Sequence, residues 1–181
     1  IDESSFEEMI LSLRFLPALC EEVLSLEAPV KVLAQKLAKA RDVLFLGRGT
    51  NFPLALEGAL KLKEISYIHT EGFAAGEMKH GPIALLDTNV PVVIIAPFDD
   101  LFEKTAANLQ EVIARGAPVI VLTDKKGAQY LGTLPIDLLI LPLTTALTAP
   151  IIYTIPLQLL AYHTALLMGT DVDQPRNLAK S

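Results

Sequence analysis

Three ionisable residues in one short stretch have the types and the spacing of a proton-transfer site. Glu57, Lys61 and Glu64 lie in "LEGALKLKEI" at positions i, i+4 and i+7 of a segment that reads as a helix. These positions return to nearly one azimuth, so the side chains form a polar stripe about 10 Å long. A partly buried carboxylate beside an ammonium group could move a proton between two carbons next to a carbonyl. The same stripe could also be a solvated helix face held by ion pairs.

Other residues with reactive side chains are less informative by pattern alone. His80 lies in "GEMKHGP", where glycine and proline impose an irregular backbone, and it fits either a solvated loop or a catalytic role. His163 lies in an apolar segment and fits a packing role, and with His69 the three histidines are too scattered for a metal site. Cys20 has no neighbouring histidine that would favour thiol catalysis. Lys180, in "RNLAKS", reads as an ordinary tail lysine.

The elements that must position these residues alternate between apolar strands and helices. Each predicted strand is apolar on both faces, which is typical of a parallel sheet covered on two sides. We therefore predict an α/β fold with a doubly wound, flavodoxin-like parallel sheet flanked by helices. The predicted strands are 42–47, 90–97, 117–123 and 136–142, and the predicted helices are 3–26, 29–41, 53–67, 101–115 and 150–168.

In a doubly wound sheet, ligands bind beyond the carboxyl ends of the strands. The "GRGTN" turn after the first strand, and the helix that follows it, are therefore the expected place for a site. We expect Glu64 to lie beyond a strand's carboxyl end. Leu56, Ala59, Leu60 and Ile65 lie off the charged stripe and are expected to serve the core.

Composition limits the function classes. A chain of 181 residues fits one domain, and its net charge of −6 argues against binding to nucleic acid. Residues 138–170 carry no charge, but three prolines and several polar residues interrupt them, so we expect a strand, a loop and a core helix rather than a membrane span. A single cysteine and the absence of a signal-peptide pattern favour a reducing, cytoplasmic location.

Two motifs carry a resemblance to a known family. "GEMKHGP" and "DQPRNLAKS", with the looser "EGALKLKEI", resemble the second sugar isomerase (SIS) domain and the C-terminal tail of the glutamine–fructose-6-phosphate aminotransferases, or glucosamine-6-phosphate synthases. The resemblance covers nearly all of the chain from Asp42 onward. It implies a helical lead-in over 1–41, an SIS domain over 42–170 and a catalytic tail over 171–181.

The resemblance also implies a chemistry, in which fructose 6-phosphate and ammonia become glucosamine 6-phosphate. Lys180 would form a Schiff base with the open-chain ketose, and Glu64 would carry the proton between C1 and C2. His80 would assist ring opening in the neighbouring subunit's site of a homodimer, and Glu57 and Lys61 would complete the polar wall. No cofactor or metal is implied.

The sequence departs from a complete enzyme of that family in two respects. It has no N-terminal cysteine of the kind a glutamine-hydrolysing domain uses, so that domain and the first SIS domain are expected to be missing parts of one polypeptide. The loop "APFDDLFEK" carries acids where SIS domains usually hold phosphate on Ser and Thr, so the chain alone is expected to be inactive. A stand-alone phosphosugar isomerase or deglycase, and a non-catalytic module that binds a sugar phosphate, remain as alternatives.

Overall fold

A computed structural model describes residues 2–176 and shows a five-stranded parallel sheet with helices on both faces. The strand order β2-β1-β3-β4-β5 is the flavodoxin-like order, which confirms the predicted fold class. In chain order the elements are α1 (Glu3–Leu24), α2 (Glu27–Leu37), β1 (Asp42–Gly47), α3 (Phe52–Ser66), β2 (His69–Ala74), β3 (Val92–Ile95), α4 (Phe102–Ala114), β4 (Val119–Asp124), α5 (Lys125–Leu131), β5 (Asp137–Leu141) and α6 (Ala149–Met168), with short 3₁₀ helices at Gly49–Asn51, Ala75–His80 and Pro82–Leu85.

The four apolar strands and five long helices predicted from the sequence are present, with boundaries that shift by a few residues. Two further elements were not predicted. β2 is an edge strand whose sequence, "HTEGFA", is mostly polar or small, and α5 is a short helix directly after β4. α2 also begins earlier than predicted, because Pro29 lies in its first turn, where proline is tolerated.

The core consists of two apolar layers, one on each face of the sheet. Alternate residues of β1 point to opposite faces. Val43 and Phe45 pack with α2, α3 and α6, and we call this side the α3 face. Leu44 and Leu46 pack with α4 and with Ala75 and Met78 of the second 3₁₀ helix, and we call this side the α4 face.

Close contact with the edge strand fixes the direction of α3. Thr70 donates a hydrogen bond from its hydroxyl to the backbone carbonyl of Ala59, at 2.5 Å. A Cβ atom on Gly72 would lie 2.9 Å from the carbonyl oxygen of Ala55, so only glycine allows this approach. Because the later strand residue contacts the earlier helix residue, α3 and β2 run in opposite directions. α3 runs from the carboxyl ends of the strands back to their amino ends.

The uncharged segment before the tail forms β5, a loop and α6, as the sequence predicted. Within residues 2–176, α6 is the one helix that is long and apolar enough to span a membrane on length and composition alone. Half of it is buried inside the protein, where it packs against α2 and α3. The helix continues through Pro156 and ends at Gly169, which adopts the left-handed conformation.

Candidate active site

The predicted stripe on α3 forms a compact charged cluster. The Lys61 ammonium lies 2.8 Å from Glu64 Oε2, to which it donates a hydrogen bond, and 4.0 Å from Glu57 Oε1. Each of the three side chains is about one-third exposed, with values of 34–36%. The cluster is therefore neither a fully solvated face nor a buried network, and a ligand that covers it would remove its remaining water.

The charge of Lys61 is stabilised by its neighbours. The hydrogen bond to Glu64 raises the pKa of Lys61 above its ordinary value; partial burial opposes this shift, and the negative charges of Glu64 and Glu57 reinforce it. Lys61 is therefore an ammonium ion at neutral pH and is poorly suited to form a Schiff base, which requires a neutral amine. Its chemical capacity is to hold the Glu64 carboxylate in one orientation.

The position of this cluster in the fold differs from the expectation. We expected Glu64 beyond the carboxyl end of a strand, but α3 starts there and returns across the sheet, so its last turn lies near the amino ends of the strands. The start of the helix lies where the sequence predicted, but Glu64 comes twelve positions later and therefore lies about 18 Å further along the axis.

Two leucines on α3 also differ from the expectation. Leu56 and Leu60 were expected in the core, but they are 45% and 44% exposed. The other two expected core residues do contribute, because Ala59 is buried and Ile65 packs against the core, and Leu54, Ala55 and Leu62 fill the rest of this side of the helix. An exposed apolar strip therefore flanks the charged cluster.

His80 lies on the other face of the sheet from the cluster. It ends the 3₁₀ helix whose Ala75 and Met78 pack into the α4 face, and its imidazole is 71% exposed. Its Nδ1 lies 2.7 Å from Glu77 Oε2. An ionised carboxylate only accepts hydrogen bonds, so Nδ1 is the donor and Nε2 faces away from Glu77. Glu77 was missed by sequence reasoning, although its i, i+3 spacing to His80 could have indicated the pair.

The root of the C-terminal tail docks on the end of α3 that carries Glu64. The Thr170 hydroxyl donates to the backbone carbonyl of Ile65 at 2.6 Å. Further along, the backbone N–H of Arg176 donates to the Tyr67 hydroxyl at 2.9 Å, and the Arg176 guanidinium lies 3.9 Å from the centre of the Tyr67 ring. Lys180, the predicted Schiff-base residue, lies outside the described residues. Tyr67 and Arg176 were not singled out by the sequence reasoning.

The turn after β1, where the sequence places a ligand, is filled by the protein's own polar contacts. The Asn51 side-chain amide donates to Asp99 Oδ2 at 3.0 Å, and Asp99 Oδ1 accepts from the backbone N–H of Leu101 at 2.9 Å. Arg48 donates to Asn108 Oδ1 at 2.8 Å. The Asp99 carboxylate thus already occupies donors that an anionic ligand would use.

A second loop at this edge is richer in hydroxyl groups than the sequence reasoning recognised. Thr144, Thr145 and Thr148 precede α6, and Thr148 is buried at its N-cap. Their hydroxyls bond to one another, with oxygen–oxygen distances of 2.5 Å for Thr144–Thr148 and 3.1 Å for Thr145–Thr148. The loop has the hydroxyl-rich composition of a phosphate-binding loop, but its hydroxyl groups form hydrogen bonds with one another.

The remaining histidines have local partners. His69 lies 3.0 Å from an Asp42 oxygen at the surface, and the buried His163 lies 3.2 Å from Glu27 Oε1. Within residues 2–176 no three His, Cys, Asp or Glu side chains are grouped so that they could hold a metal ion.

Comparison with known proteins decides the family. The SIS domain family matches residues 36–168, which include α3, the second 3₁₀ helix and α6. The chain belongs to the SIS domain family.

Relatives of this SIS domain chain support the resemblance carried by the two motifs. The glutamine–fructose-6-phosphate aminotransferase [isomerizing] of Bradyrhizobium diazoefficiens is 60% identical over 166 residues, which are 92% of this chain and 27% of that protein. The protein of the same name from Brucella melitensis is 56% identical over 181 residues, which are 100% of this chain and 30% of that protein. The chain thus spans about 30% of the length of such relatives.

Solved structures agree on the fold. The C-terminal domain of glucosamine-fructose-6-phosphate aminotransferase from Francisella tularensis superposes with a TM-score of 0.93 at 42% identity, covering 96% of this chain and 49% of that one. The sugar isomerase domain of an RpiR transcription factor from Sphaerobacter thermophilus has a TM-score of 0.73 at 16% identity and covers 88% of this chain and 90% of that one. The second likeness shows the fold alone.

Proposed function

We propose that this SIS domain is the isomerase part of an enzyme that converts fructose 6-phosphate and glutamine-derived ammonia into glucosamine 6-phosphate. The observation that carries the proposal is the Glu57–Lys61–Glu64 cluster, whose Glu64 lies at the end of α3 where the root of the tail that leads to Lys180 docks. The reaction requires a general base and a lysine that forms a Schiff base, both in the same active site. The identity to aminotransferases supports the choice of substrate.

The first chemical steps use Lys180. The C2 carbonyl of the open-chain ketose condenses with the lysine amine and releases one water molecule. Ammonia then adds to C2 and displaces the lysine amine, which leaves an imine at C2 and returns Lys180 to its starting state. A neutral amine is needed for the first step, and the charged Lys61 does not provide one.

The next steps use Glu64. Its carboxylate removes a proton from C1, and the electrons of that bond form a C1–C2 double bond while the imine nitrogen takes up a proton from water. The resulting carboxylic acid returns its proton to C2, and the C1 hydroxyl releases its proton to the hydroxide left by the first step. The product carries an aldehyde at C1 and an amine at C2. Lys61 orients Glu64 throughout, and Glu57 neutralises the second side of the ammonium group.

The position of His80 supports a homodimer in which His80 of the partner subunit assists ring opening. In one chain the sheet separates His80 from Glu64, since their elements pack on opposite faces. The exposed Leu56 and Leu60 beside the cluster provide apolar surface that a second subunit or domain could cover.

Other parts of the enzyme are proposed to come from the same polypeptide. A glutaminase domain would supply ammonia, and a first SIS domain would hold the sugar phosphate that the Asp99 loop does not favour. We place the enzyme in the cytoplasm, since the single free cysteine is compatible with a reducing compartment.

One assay separates this proposal from its alternatives. The full-length protein that contains this chain is incubated with fructose 6-phosphate, with and without glutamine, and the sugar phosphates are separated. Glutamine-dependent glucosamine 6-phosphate is the expected product. Conversion to another sugar phosphate without a nitrogen donor would instead indicate a phosphosugar isomerase, and tight binding without any turnover would indicate a non-catalytic module.

A further inference from the structure

The backbone of Tyr67 is in a conformation that its side chain disfavours. Its φ is 64°, and it is the one residue other than glycine with a positive φ among residues 2–176. It follows the last residue of α3 and donates its backbone N–H to the carbonyl of Lys63, a position that helices usually give to glycine or asparagine. A bulky residue there is uncommon, and such strain is typically retained where the side chain has a use.

The use of the side chain is visible in its contacts. The ring of Tyr67 lies under the Arg176 guanidinium, with 3.9 Å from the guanidinium carbon to the ring centre. Its hydroxyl accepts the backbone N–H of Arg176 at 2.9 Å. Ring and hydroxyl therefore hold one tail residue by two different interactions.

Neighbouring contacts direct the tail towards this anchor. The Thr170 hydroxyl bonds to the carbonyl of Ile65, and Asp171 Oδ1 accepts the backbone N–H groups of Asp173 and Gln174, which turns the chain. Pro175 is buried directly before Arg176. The tail is thus fixed at both ends of a short turn.

We propose that Tyr67 is a positioning residue that fixes the root of the C-terminal tail beside Glu64, so that the amine of Lys180 is delivered to the proton-transfer carboxylate. This inference rests on the proposed function for the roles of Lys180 and Glu64. Lys180 follows Arg176 by four positions, and an extended chain of that length reaches at most about 14 Å. Glu64 lies only about 4.5 Å along the helix axis from Tyr67, within that reach.

The anchor can be tested without any catalytic readout by limited trypsin cleavage of the Arg176–Asn177 bond in the full-length protein. Tyr67→Gly removes ring and hydroxyl and also relieves the backbone strain, so the thermal midpoint is expected to stay equal or rise. Cleavage of this bond is expected to become about tenfold faster, since a cation–π contact and a hydrogen bond are lost together. Tyr67→Phe keeps the ring and should give an intermediate rate, and Tyr130→Phe on the exposed face of α5 is the matched control.

The positioning role is tested by borohydride trapping of fructose 6-phosphate on Lys180 in the same proteins. In Tyr67→Gly the trapping rate should fall about tenfold, while the calorimetric affinity for the sugar phosphate should change little, because the ring and hydroxyl of Tyr67 contact Arg176 of the tail. Arg176→Lys keeps the charge, the trypsin site and the backbone N–H that donates to the Tyr67 hydroxyl but loses the planar stack, so it should give an intermediate effect, as Tyr67→Phe does. The double variant should add little to Tyr67→Gly, which already removes both contacts.

The two kinds of failure are distinguishable. If the unmodified protein gives no adduct at Lys180, the proposed function fails, and the trypsin assay still decides whether Tyr67 holds Arg176. If Tyr67→Gly and Tyr67→Phe leave both cleavage and trapping unchanged, the anchor is refuted while the proposed function stands. Faster cleavage with unchanged trapping would also refute the positioning role, since the tail would then deliver Lys180 without its anchor.

Discussion

Glu64 and His80 lie on opposite faces of the parallel sheet. The helix that carries Glu64 buries its apolar side against Val43 and Phe45, whereas the 3₁₀ helix that ends at His80 buries Ala75 and Met78 on the other side. The sheet therefore lies between these two residues of one chain. If both take part in the proposed reaction, we expect them to belong to different subunits.

This relationship predicts the result of mixing two inactive variants. His80→Ala and Glu64→Gln should each be inactive alone, while a mixed dimer contains one site with an intact Glu64 and an intact His80 of the partner subunit. With random pairing, half of the dimers are mixed and one of their two sites is complete, so about a quarter of the activity should return. Glucosamine 6-phosphate formation after co-expression measures it.

A cis arrangement gives a different outcome in the same experiment. If both residues served one site within one chain, the mixed dimer would contain no complete site, and activity would stay at the level of the single variants. Glu77→Gln is informative as a second variant, because it should weaken the orientation of the imidazole without removing it.

Glu64 is predicted to be the proton-transfer base. Glu64→Gln in the full-length enzyme should abolish proton exchange between C1 and C2 and leave binding of fructose 6-phosphate nearly intact, since the amide keeps the shape but not the basicity. Loss of a general base typically costs about 10²-fold or more. Solvent-isotope exchange measured by NMR checks this, with the exposed Glu103→Gln as control. A variant that keeps more than about a tenth of the rate would remove Glu64 from this role.

Lys61 is predicted to tune the pH dependence of the reaction. Its ammonium donates a hydrogen bond to Glu64 Oε2 at 2.8 Å and orients the carboxylate, so Lys61→Met should lower kcat already at neutral pH. Lys63→Met, on the exposed side of the same helix, should leave kcat nearly unchanged. The raised pKa of Lys61 keeps the ammonium charged at neutral pH, so in the unmodified enzyme this contribution should be lost only on the alkaline side. An alkaline limb that is the same in Lys61→Met and in the unmodified enzyme would contradict this role.

Lys180 is predicted to form the covalent adduct. Borohydride reduction in the presence of fructose 6-phosphate should attach the sugar to this lysine, and peptide mass spectrometry identifies the site. The motivation is its place in "RNLAKS", after a tail that docks beside Glu64. Labelling of Lys61 instead would transfer the covalent role to the helix, against the raised pKa that its partners impose.

The fold was largely predictable because most of its strands are continuous apolar runs. "DVLFLG" is buried along nearly its whole length as β1, and a short apolar run of this kind between two helices is typical of a strand inside a parallel sheet. β2 was missed because an edge strand needs little apolar surface, and in "HTEGFA" only Thr70 is fully buried. The local pattern of apolar residues therefore predicts the burial of a strand better than it predicts which strands pair in the sheet.

The charged cluster on α3 was predictable in its residues and not in its place. Helical spacing alone predicts the contact between Lys61 and Glu64, because the two residues are three positions apart on one helix. The position of Glu64 at the amino ends of the strands depends on the length of α3, and the Tyr67–Arg176 contact joins residues 109 positions apart. No local pattern encodes a contact of that separation.

On its own, the 181-residue chain is predicted to fold and to associate. Folding follows from two apolar layers that cover both faces of the sheet. Association follows from apolar side chains that the structure leaves exposed, among them Phe6 and Phe15 of α1 at 58% and 63% and Leu56 of α3 at 45%. Sedimentation velocity over a range of concentrations should show a mass above that of one chain, and a concentration-independent monomer would contradict this expectation.

The same chain is predicted neither to hydrolyse glutamine nor to turn over fructose 6-phosphate. Within residues 2–176 the donors expected to receive a phosphate are already used, because Asp99 accepts from Asn51 and Leu101 and the threonine hydroxyls before α6 bond to one another. A substrate without that anchor loses positioning that can be worth ~7–11 kcal/mol, and a carboxylate and a lysine are then of little use. Calorimetric titration with fructose 6-phosphate should show no binding tighter than millimolar. Micromolar binding with measurable isomerisation would instead favour a stand-alone phosphosugar isomerase, in which this one SIS domain holds the phosphate itself.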